Sequence, residues 1–151
     1  MLGLPLVART TDDAITVIGM QPGSRLVLDG ANVGRGCALV LDRNAVLSIG
    51  QRSYVTDGSL ISSCSAIRIG RDCAISWGVT ILDGDGHGAG VPAPVTIEDK
   101  VWVGCNVTIL KGVTIGAGSI VGAGAVVTRG CPPRSLLAGN PARIVRPDVT
   151  W

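Results

Sequence analysis

Phenylalanine is absent from this sequence, and aromatic residues of every kind make up 3% of it. An interior built around rings is excluded, so branched aliphatic side chains have to fill it. Histidine occurs once, as His87, and one chain therefore has no set of imidazoles with which to hold a metal. The formal net charge is only +2, too small for the electrostatic footprint of a general nucleic-acid binder. The opening stretch from Met1 to Arg9 is apolar but broken by Gly3 and Pro5 and lacks a basic start, so neither a signal peptide nor a membrane span is expected. The five cysteines, Cys37, Cys64, Cys73, Cys105 and Cys131, are odd in number and lack metal-ligand spacing, which fits a reducing cytoplasm.

What the chain does have is glycine, 22 of 151 residues, and a hydrophobic content of 46%, too high for a disordered chain. The length is that of one domain, expected to span residues 1–151. From Ile97 to Val127 an aliphatic residue falls at every sixth position: Ile97, Val103, Ile109, Ile115, Val121 and Val127. The residue four after each is small or short-branched: Val101, Val107, Val113, Ser119, Ala125 and Cys131. No helix has this period. In a strand, residues two apart share a face, so Val107 and Ile109 point inward while Thr108 and Leu110 point out. Between the strands, Asn106, the pair Lys111-Gly112 and the pair Ala117-Gly118 tolerate the backbone of a tight corner. Each unit is then one short strand plus one corner. Three units close a triangular coil, and stacked coils share one aliphatic core, with hydrogen bonds running from coil to coil at about 4.8 Å. The fold class is all-β, a parallel β-helix.

Upstream the period persists with slips, through Val33 and Leu39, Leu41 and Leu47, Ile49 to Ile67, and Ile69 to Ile81. Each slip is two residues, which lengthens one side without changing which side chains face inward. Residues 1–25 are the least periodic and are expected to form a terminal strand or an irregular coil over the open end of the core. Between Ile81 and Ile97 the step is sixteen residues where six would serve. The text from Asp83 to Pro94 holds four glycines and two prolines, so residues 83–94 are expected to project as a loop, and that loop carries His87. The ladder is expected to stop at Cys131-Pro132-Pro133, because proline cannot donate to it, leaving 132–151 as a tail.

The units opening Ile97-Glu98, Val103-Gly104, Ile115-Gly116 and Val121-Gly122, followed by Pro132-Pro133-Arg134-Ser135 and Ala138-Gly139-Asn140-Pro141-Ala142-Arg143, resemble the hexapeptide-repeat acyltransferases, in particular sugar O-acetyltransferases of the maltose and galactoside type. The resemblance covers roughly Ile49 to Arg146. It implies a left-handed winding, against the usual rule for parallel crossovers. It also implies acetyl-CoA as acyl donor without a metal, an acceptor expected to be a sugar, and a homotrimer with active sites between subunits. An alcohol is a poor nucleophile, so a base of near-neutral pKa must take its proton. The family's catalytic histidine follows a strand like Val79-Thr80-Ile81, which assigns that role to His87; Asp83 and Asp85 stand close enough in sequence to orient or charge its ring. The oxyanion needs a fixed donor, and the resemblance gives this to the backbone amide of Cys105, after Trp102-Val103-Gly104. For CoA it implies Trp102 in the groove, Ala123 at the pantetheine arm, Thr128 and Arg129 at the ladder's end, and Arg143 and Arg146 on phosphates. Guanidinium forks suit phosphates, and Arg129, Arg134, Arg143 and Arg146 crowd one short stretch. Outward Trp102 and Ile120 on one face, and Leu110 and Val126 on the next, make apolar columns that invite burial between subunits.

Two features depart from the sugar O-acetyltransferases: where they carry an acceptor-holding asparagine the nearest match is Thr56-Asp57, and no counterpart of their long N-terminal helical segment is expected in residues 1–25. An N-acetyltransferase acting on an amino sugar or antibiotic is the alternative, since its mechanism is the same. A non-catalytic β-solenoid scaffold would need neither the loop nor the arginines. A γ-carbonic-anhydrase-like hydratase would need three zinc-binding histidines drawn from two neighbouring subunits, which one histidine per chain cannot supply.

Overall fold

The computed structural model describes residues 6–8, 14–85 and 90–151, and its regular elements are all strands. Each six-residue unit of the ladder supplies two residues of strand: Trp102–Val103, Thr108–Ile109, Thr114–Ile115, Ile120–Val121 and Val126–Val127. β-Branched residues suit these positions, one side chain inward and one outward. The corners between them turn through a left-handed residue, Lys100 (φ 54°), Asn106 (54°), Gly112 (75°), Gly118 (69°) and Gly124 (70°). Glycine and asparagine adopt that conformation at the least steric cost. Upstream, the three two-residue slips appear as longer sides, Ala38–Leu41, Val46–Ile49 and Ala66–Ile69, of four residues each; Leu60–Ser63 is also four residues long, though the step from Ile61 to Ile67 is a regular six. Both inward residues of a long side, such as Leu39 with Leu41 or Leu47 with Ile49, are buried.

The strands stack into three parallel faces. The first carries Thr16–Met20, Ala38–Leu41, Leu60–Ser63, Thr80–Leu82, Thr108–Ile109 and Val126–Val127 in that order. The second carries Arg25–Leu28, Val46–Ile49, Ala66–Ile69, Val95–Ile97 and Thr114–Ile115, with Cys131 bridged to Ile115 above them. The third carries Asn32–Val33, Tyr54–Val55, Ala74–Ile75, Trp102–Val103, Ile120–Val121 and Leu136–Gly139. The chain visits first, second and third face in turn, and every repeat of the cycle is one coil of the left-handed parallel β-helix of hexapeptide repeats.

Inside, the six aliphatic rungs from Ile97 to Val127 and their small partners at Val101, Val107, Val113, Ser119, Ala125 and Cys131 are all buried. Hydroxyls that reach the interior are spent on the backbone of neighbouring corners: Ser53 Oγ donates to the Gly70 carbonyl (2.7 Å) and accepts from the Cys73 amide (2.9 Å). Among the described residues no buried side-chain nitrogen or oxygen lacks a partner. Burial pushes the thiols of Cys37 and Cys73 up from their ordinary range. No helix among the described residues is long and apolar enough to cross a membrane.

The glycine that follows the inward aliphatic residue has a steric reason. A Cβ on Gly104 would stand 2.7 Å from the Ala123 amide nitrogen and 2.9 Å from the Val121 carbonyl oxygen, both in the next coil. Where Glu98 takes that position, its carboxylate instead accepts from the Ala117 amide of the coil above (2.8 Å).

Both ends differ in detail from a regular ladder. Thr16–Met20, within the least periodic part of the sequence, already pairs in parallel with Ala38–Leu41, and Leu6–Ala8 adds to its other edge in antiparallel sense. At the far end Pro132 and Pro133 do not stop the stacking. They occupy a corner, where no ladder hydrogen bond is required of them, and the Pro132 carbonyl accepts from the Ser119 and Ser135 hydroxyls. Leu136–Gly139 then completes the coil on Ile120–Val121, and Ala142–Arg146 folds back antiparallel against it.

Ile109 is fully buried, so Ile109→Ala is expected to lower the unfolding free energy by about 3 kcal/mol, in the range for buried aliphatic truncations. Gly104→Ala, which adds one methyl where the next coil's backbone lies, is expected to cost about 2 kcal/mol by overpacking. Urea unfolding followed by circular dichroism measures both, as lowered midpoints.

Candidate active site

Of the sequence-implied residues, Cys105, Ala123 and Arg143 fall at one edge of the first face and Asp83, Asp85, Thr128 and Arg129 at the other, while Trp102 and Arg146 stand on the third face. The edge at which the chain enters that face is a column of corners, Asp57-Gly58, Trp77-Gly78, Cys105-Asn106 and Ala123-Gly124. Successive corners are tied by hydrogen bonds: the Gly78 amide donates to the Asp57 carbonyl (3.1 Å), Asn106 to Trp77 (3.0 Å) and Gly124 to Cys105 (2.9 Å). In such a corner the amide of the first residue points out of the ladder. At some corners a carboxylate takes it, as Asp57 does for Arg35 (2.9 Å) and Asp99 for Arg71 (2.8 Å). At Cys105, as at Asp57, Trp77 and Ala123 of the same column, no acceptor takes it among the described residues. An outward amide with no protein acceptor can receive an oxygen of a ligand.

Ala123 is exposed one coil above Cys105, and its small side chain leaves that edge open to close approach. Trp77, one coil below, is 60% exposed. Sequence reasoning passed over it, although an indole in a corner otherwise made of small and polar residues was a visible signal. Arg143 reaches the same neighbourhood from above. Its strand position is opposite Ala138, which packs over Gly122, and its guanidinium donates to the Ala142 carbonyl (2.9 Å). Thr56 and Asp57, the nearest match to the acceptor-holding asparagine, are committed to the fold: Thr56 Oγ1 donates to the Ile75 carbonyl (2.5 Å), and Asp57 pairs with the Arg35 side chain as well as its amide (3.3 Å).

The loop leaves from the other edge of the first face, between Leu82 and the second-face strand Val95–Ile97. Asp83 is fully buried at its root. The carboxylate accepts from the Ser63 hydroxyl (2.9 Å) and from the Cys64 (2.5 Å) and Ser65 (3.0 Å) amides, stapling the tight corner of the coil below. The Ala93 amide donates to the Asp83 carbonyl (2.8 Å) and closes the neck of the loop; Gly112 donates to the Ala93 carbonyl (3.0 Å) and ties it to the coil above. Asp85 forms an ion pair with Lys111 Nζ (3.6 Å), a contact with no counterpart in the repeat pattern. His87 lies outside the described residues. Burial, aided by a hydrogen bond to Asp42 and the charges of Asp42, Asp83 and Asp85, pushes the Cys64 thiol up to about 11, so it is protonated at neutral pH.

Thr128 and Arg129 are exposed on this loop edge, two corners above the loop root, and not beside Cys105. Five residues of chain separate the Cys105 corner from Leu110 at the loop edge, roughly 15 Å of extended backbone. The four arginines crowded in sequence are dispersed in space: Arg129 on the loop edge, Arg143 near the Cys105 edge, Arg146 opposite Leu136 on the third face, and Arg134 on the remaining edge, paired with Asp148 (3.9 Å). Trp102 stands outward on the third face in register with Ile120, as expected from the spacing; its indole donates to Ser76 Oγ (3.4 Å) and packs against Trp151, ring centres 6.1 Å apart. Among the described residues no three His, Cys, Asp or Glu side chains are grouped as metal ligands.

Removing the staple at the loop root leaves buried donors without an acceptor. Asp83→Ala is therefore expected to lower stability by about 3 kcal/mol, read as a lower urea midpoint.

Residues 94–129 match the model of the bacterial transferase hexapeptide family (six repeats). The chain is 37% identical over 123 residues to the polysialic acid O-acetyltransferase of Escherichia coli O1:K1 / APEC, covering 75% of this chain and 40% of that protein. It is 34% identical over 137 residues to WbbJ of Escherichia coli K12, assigned as a lipopolysaccharide biosynthesis O-acetyl transferase, covering 78% of this chain and 69% of that one. The crystal structure of the hexapeptide-repeat acetyltransferase VCA0836 of Vibrio cholerae O1 biovar eltor with acetyl-CoA superposes with a TM-score of 0.72 at 28% identity, over 85% of this chain and 72% of that one. Residues 94–129, which the family model matches, include the rungs from Ile97 to Val127 and the Cys105 and Ala123 corners, and the chain belongs to the hexapeptide-repeat transferase family.

Proposed function

We infer that this chain is an acetyl-CoA-dependent acyltransferase that O-acetylates a sugar or a saccharide precursor. The observation that carries the reading is the outward amide of Cys105, without a protein acceptor, on one edge of the first face, with the chain's long excursion on the other. A cyclic trimer that sets the loop edge of one copy against the Cys105 edge of the next would join the two halves. The outer side of the first face supports such an assembly: Val17, Val40 and Leu60 are exposed there and Leu82, Leu110 and Val126 half-buried, in two outward columns that also hold Ser62, Thr80 and Thr108. Relatives named for the acetylation of polysialic acid and of lipopolysaccharide, and a structural neighbour that holds acetyl-CoA, favour a saccharide acceptor and this donor.

In the mechanism, an acceptor hydroxyl attacks the thioester carbonyl of acetyl-CoA while the His87 imidazole removes its proton. The carbonyl oxygen becomes an oxyanion and is held by the Cys105 N–H. Collapse of the tetrahedral intermediate breaks the carbon–sulfur bond, and the departing CoA sulfur takes the proton from the imidazolium. The products are the acetyl ester and free CoA. With Asp83 engaged by three donors at the root, orienting the loop falls to Asp85 and its ion pair with Lys111. Ala123 lines the pantetheine arm, and Arg143, with Thr128 and Arg129 from the loop edge of the neighbouring copy, takes the polar end of CoA; Trp102 and Arg146 stand farther out on the third face. The sulfur of Cys105 has no part in the reaction.

The test is CoA thiol release from acetyl-CoA across a panel of sugars, nucleotide sugars and amines. A sugar alcohol acceptor is expected to support turnover, and His87→Ala to lower it by about a thousandfold, the scale of general base catalysis. Undiminished turnover in that variant removes His87 from the mechanism, and preference for amines over alcohols replaces O-acetylation by N-acetylation.

A further inference from the structure

The edge between the second and third faces, which the acyl-transfer reading leaves idle, carries a constructed surface of its own. Lys100 and Trp151 are shared by two adjoining clefts. One, of about 430 Å³, is lined by Arg52, Asp72, Lys100 and Trp151; the other, of about 240 Å³, adds Gly118, Arg134 and Thr150. The first lies within the range of ~300–1,000 Å³ common for small-ligand sites.

The groups around these clefts are held in place. Trp151 Nε1 donates to the Lys100 carbonyl (2.8 Å), its ring leans on Trp102, and the segment leading to it is pinned by the buried Val149, whose amide donates to the Arg134 carbonyl (2.9 Å). The indole remains 51% exposed. Arg52 and Asp72 form a two-pronged pair, Nε to Oδ1 at 2.6 Å and Nη2 to Oδ2 at 2.7 Å, and this contact holds the Asp72 carboxyl below the usual range. Arg134 is paired with Asp148. Lys100, at the centre, makes no ion pair among the described residues and has a left-handed backbone (φ 54°).

An exposed indole, a planar acid–base pair and an ammonium near Asp72 but in no direct ion pair are matched by a ring with an apolar face, hydroxyls on its rim and a single carboxylate. The ring stacks on Trp151, its hydroxyls bond to Asp72 and Arg52, and its carboxylate meets Lys100. We propose that the Lys100–Trp151 corner is a binding subsite for carboxylated sugar units of an oligomeric saccharide. The third face joins this corner to the Cys105 edge, with Trp102 between them, so a chain bound here can extend across that face toward the acetylation site. This extension rests on the sugar-acceptor reading above; binding at the corner does not.

The experiment is calorimetric titration of the intact protein, without acetyl-CoA, using an oligogalacturonate and a malto-oligosaccharide of the same length. The oligogalacturonate is expected to bind about tenfold more tightly, and to weaken as salt is raised from about 50 to about 300 mM. Lys100→Gln is expected to remove most of that preference, and Trp151→Leu to weaken both saccharides by about fivefold, with unchanged circular dichroism and melting temperature as the folding check. His87→Ala should bind as the parent protein does. Equal affinity for the two oligomers, no effect of Lys100→Gln, or tighter binding of ADP than of oligogalacturonate would each overturn the proposal. Loss of selective binding with His87-dependent thiol release intact removes this subsite alone. Selective binding with no acetyl transfer to any saccharide leaves the subsite and removes the acyl-transfer reading.

Discussion

Everything in this molecule is held to the spacing between stacked coils. Parallel strands bonded edge to edge lie about 4.8 Å apart, and at several corners that distance leaves no room for a Cβ on the residue after the inward aliphatic, although Thr56, Ser76, Glu98, Leu110 and Thr128 carry one at the same position. Gly50, Gly70, Gly104 and Gly116 all press against the backbone of the coil above. The same closeness makes the interior narrow, so its rungs are isoleucine, valine and leucine and its corners are alanine, serine, cysteine and valine. A chain under this constraint has little freedom inside. Its variation goes outward, into corners, faces and the one long excursion.

That outward variation is where the proposed chemistry is placed. A convex prism has no cleft of its own, and its polar backbone is consumed by the ladder except at corners. Corner amides are the groups left over. Carboxylates from neighbouring coils claim those of Arg35, Arg71 and Ala117, whereas the column of Asp57, Trp77, Cys105 and Ala123 has no acceptor for its amides among the described residues. The loop, stapled by Asp83 and tied to the coil above through Ala93 and Lys111, rises from the far side of the same face. The proposed site between copies is the arrangement that would bring these two edges of the rod together.

Much of the prism was legible in the residues alone. The six-residue period identifies inward positions because strand alternation and coil closure leave no other assignment, and even the two-residue slips were readable as four-residue sides. The corner prolines were misleading. Pro132 and Pro133 obstruct a ladder only where their nitrogens would have to donate, and in a corner they do not, so the coil continues through Leu136–Gly139. Asp83 was also opaque: its nearness to His87 in sequence says nothing about Ser63, Cys64 and Ser65, which are its partners across the coil boundary.

The sequence by itself determined the repeat, the core and the place where the chain leaves the prism, because each depends on local side-chain size, backbone tolerance and spacing along one strand. Only the tertiary structure decided which corners stack. It separated four neighbouring arginines onto different sides of the rod, set Trp77 beneath Cys105, and folded Trp151 back onto Trp102 and Lys100. Those contacts join residues eighteen or more positions apart, across coils or from a tail returning to them, and their partners are chosen by the winding of the whole chain.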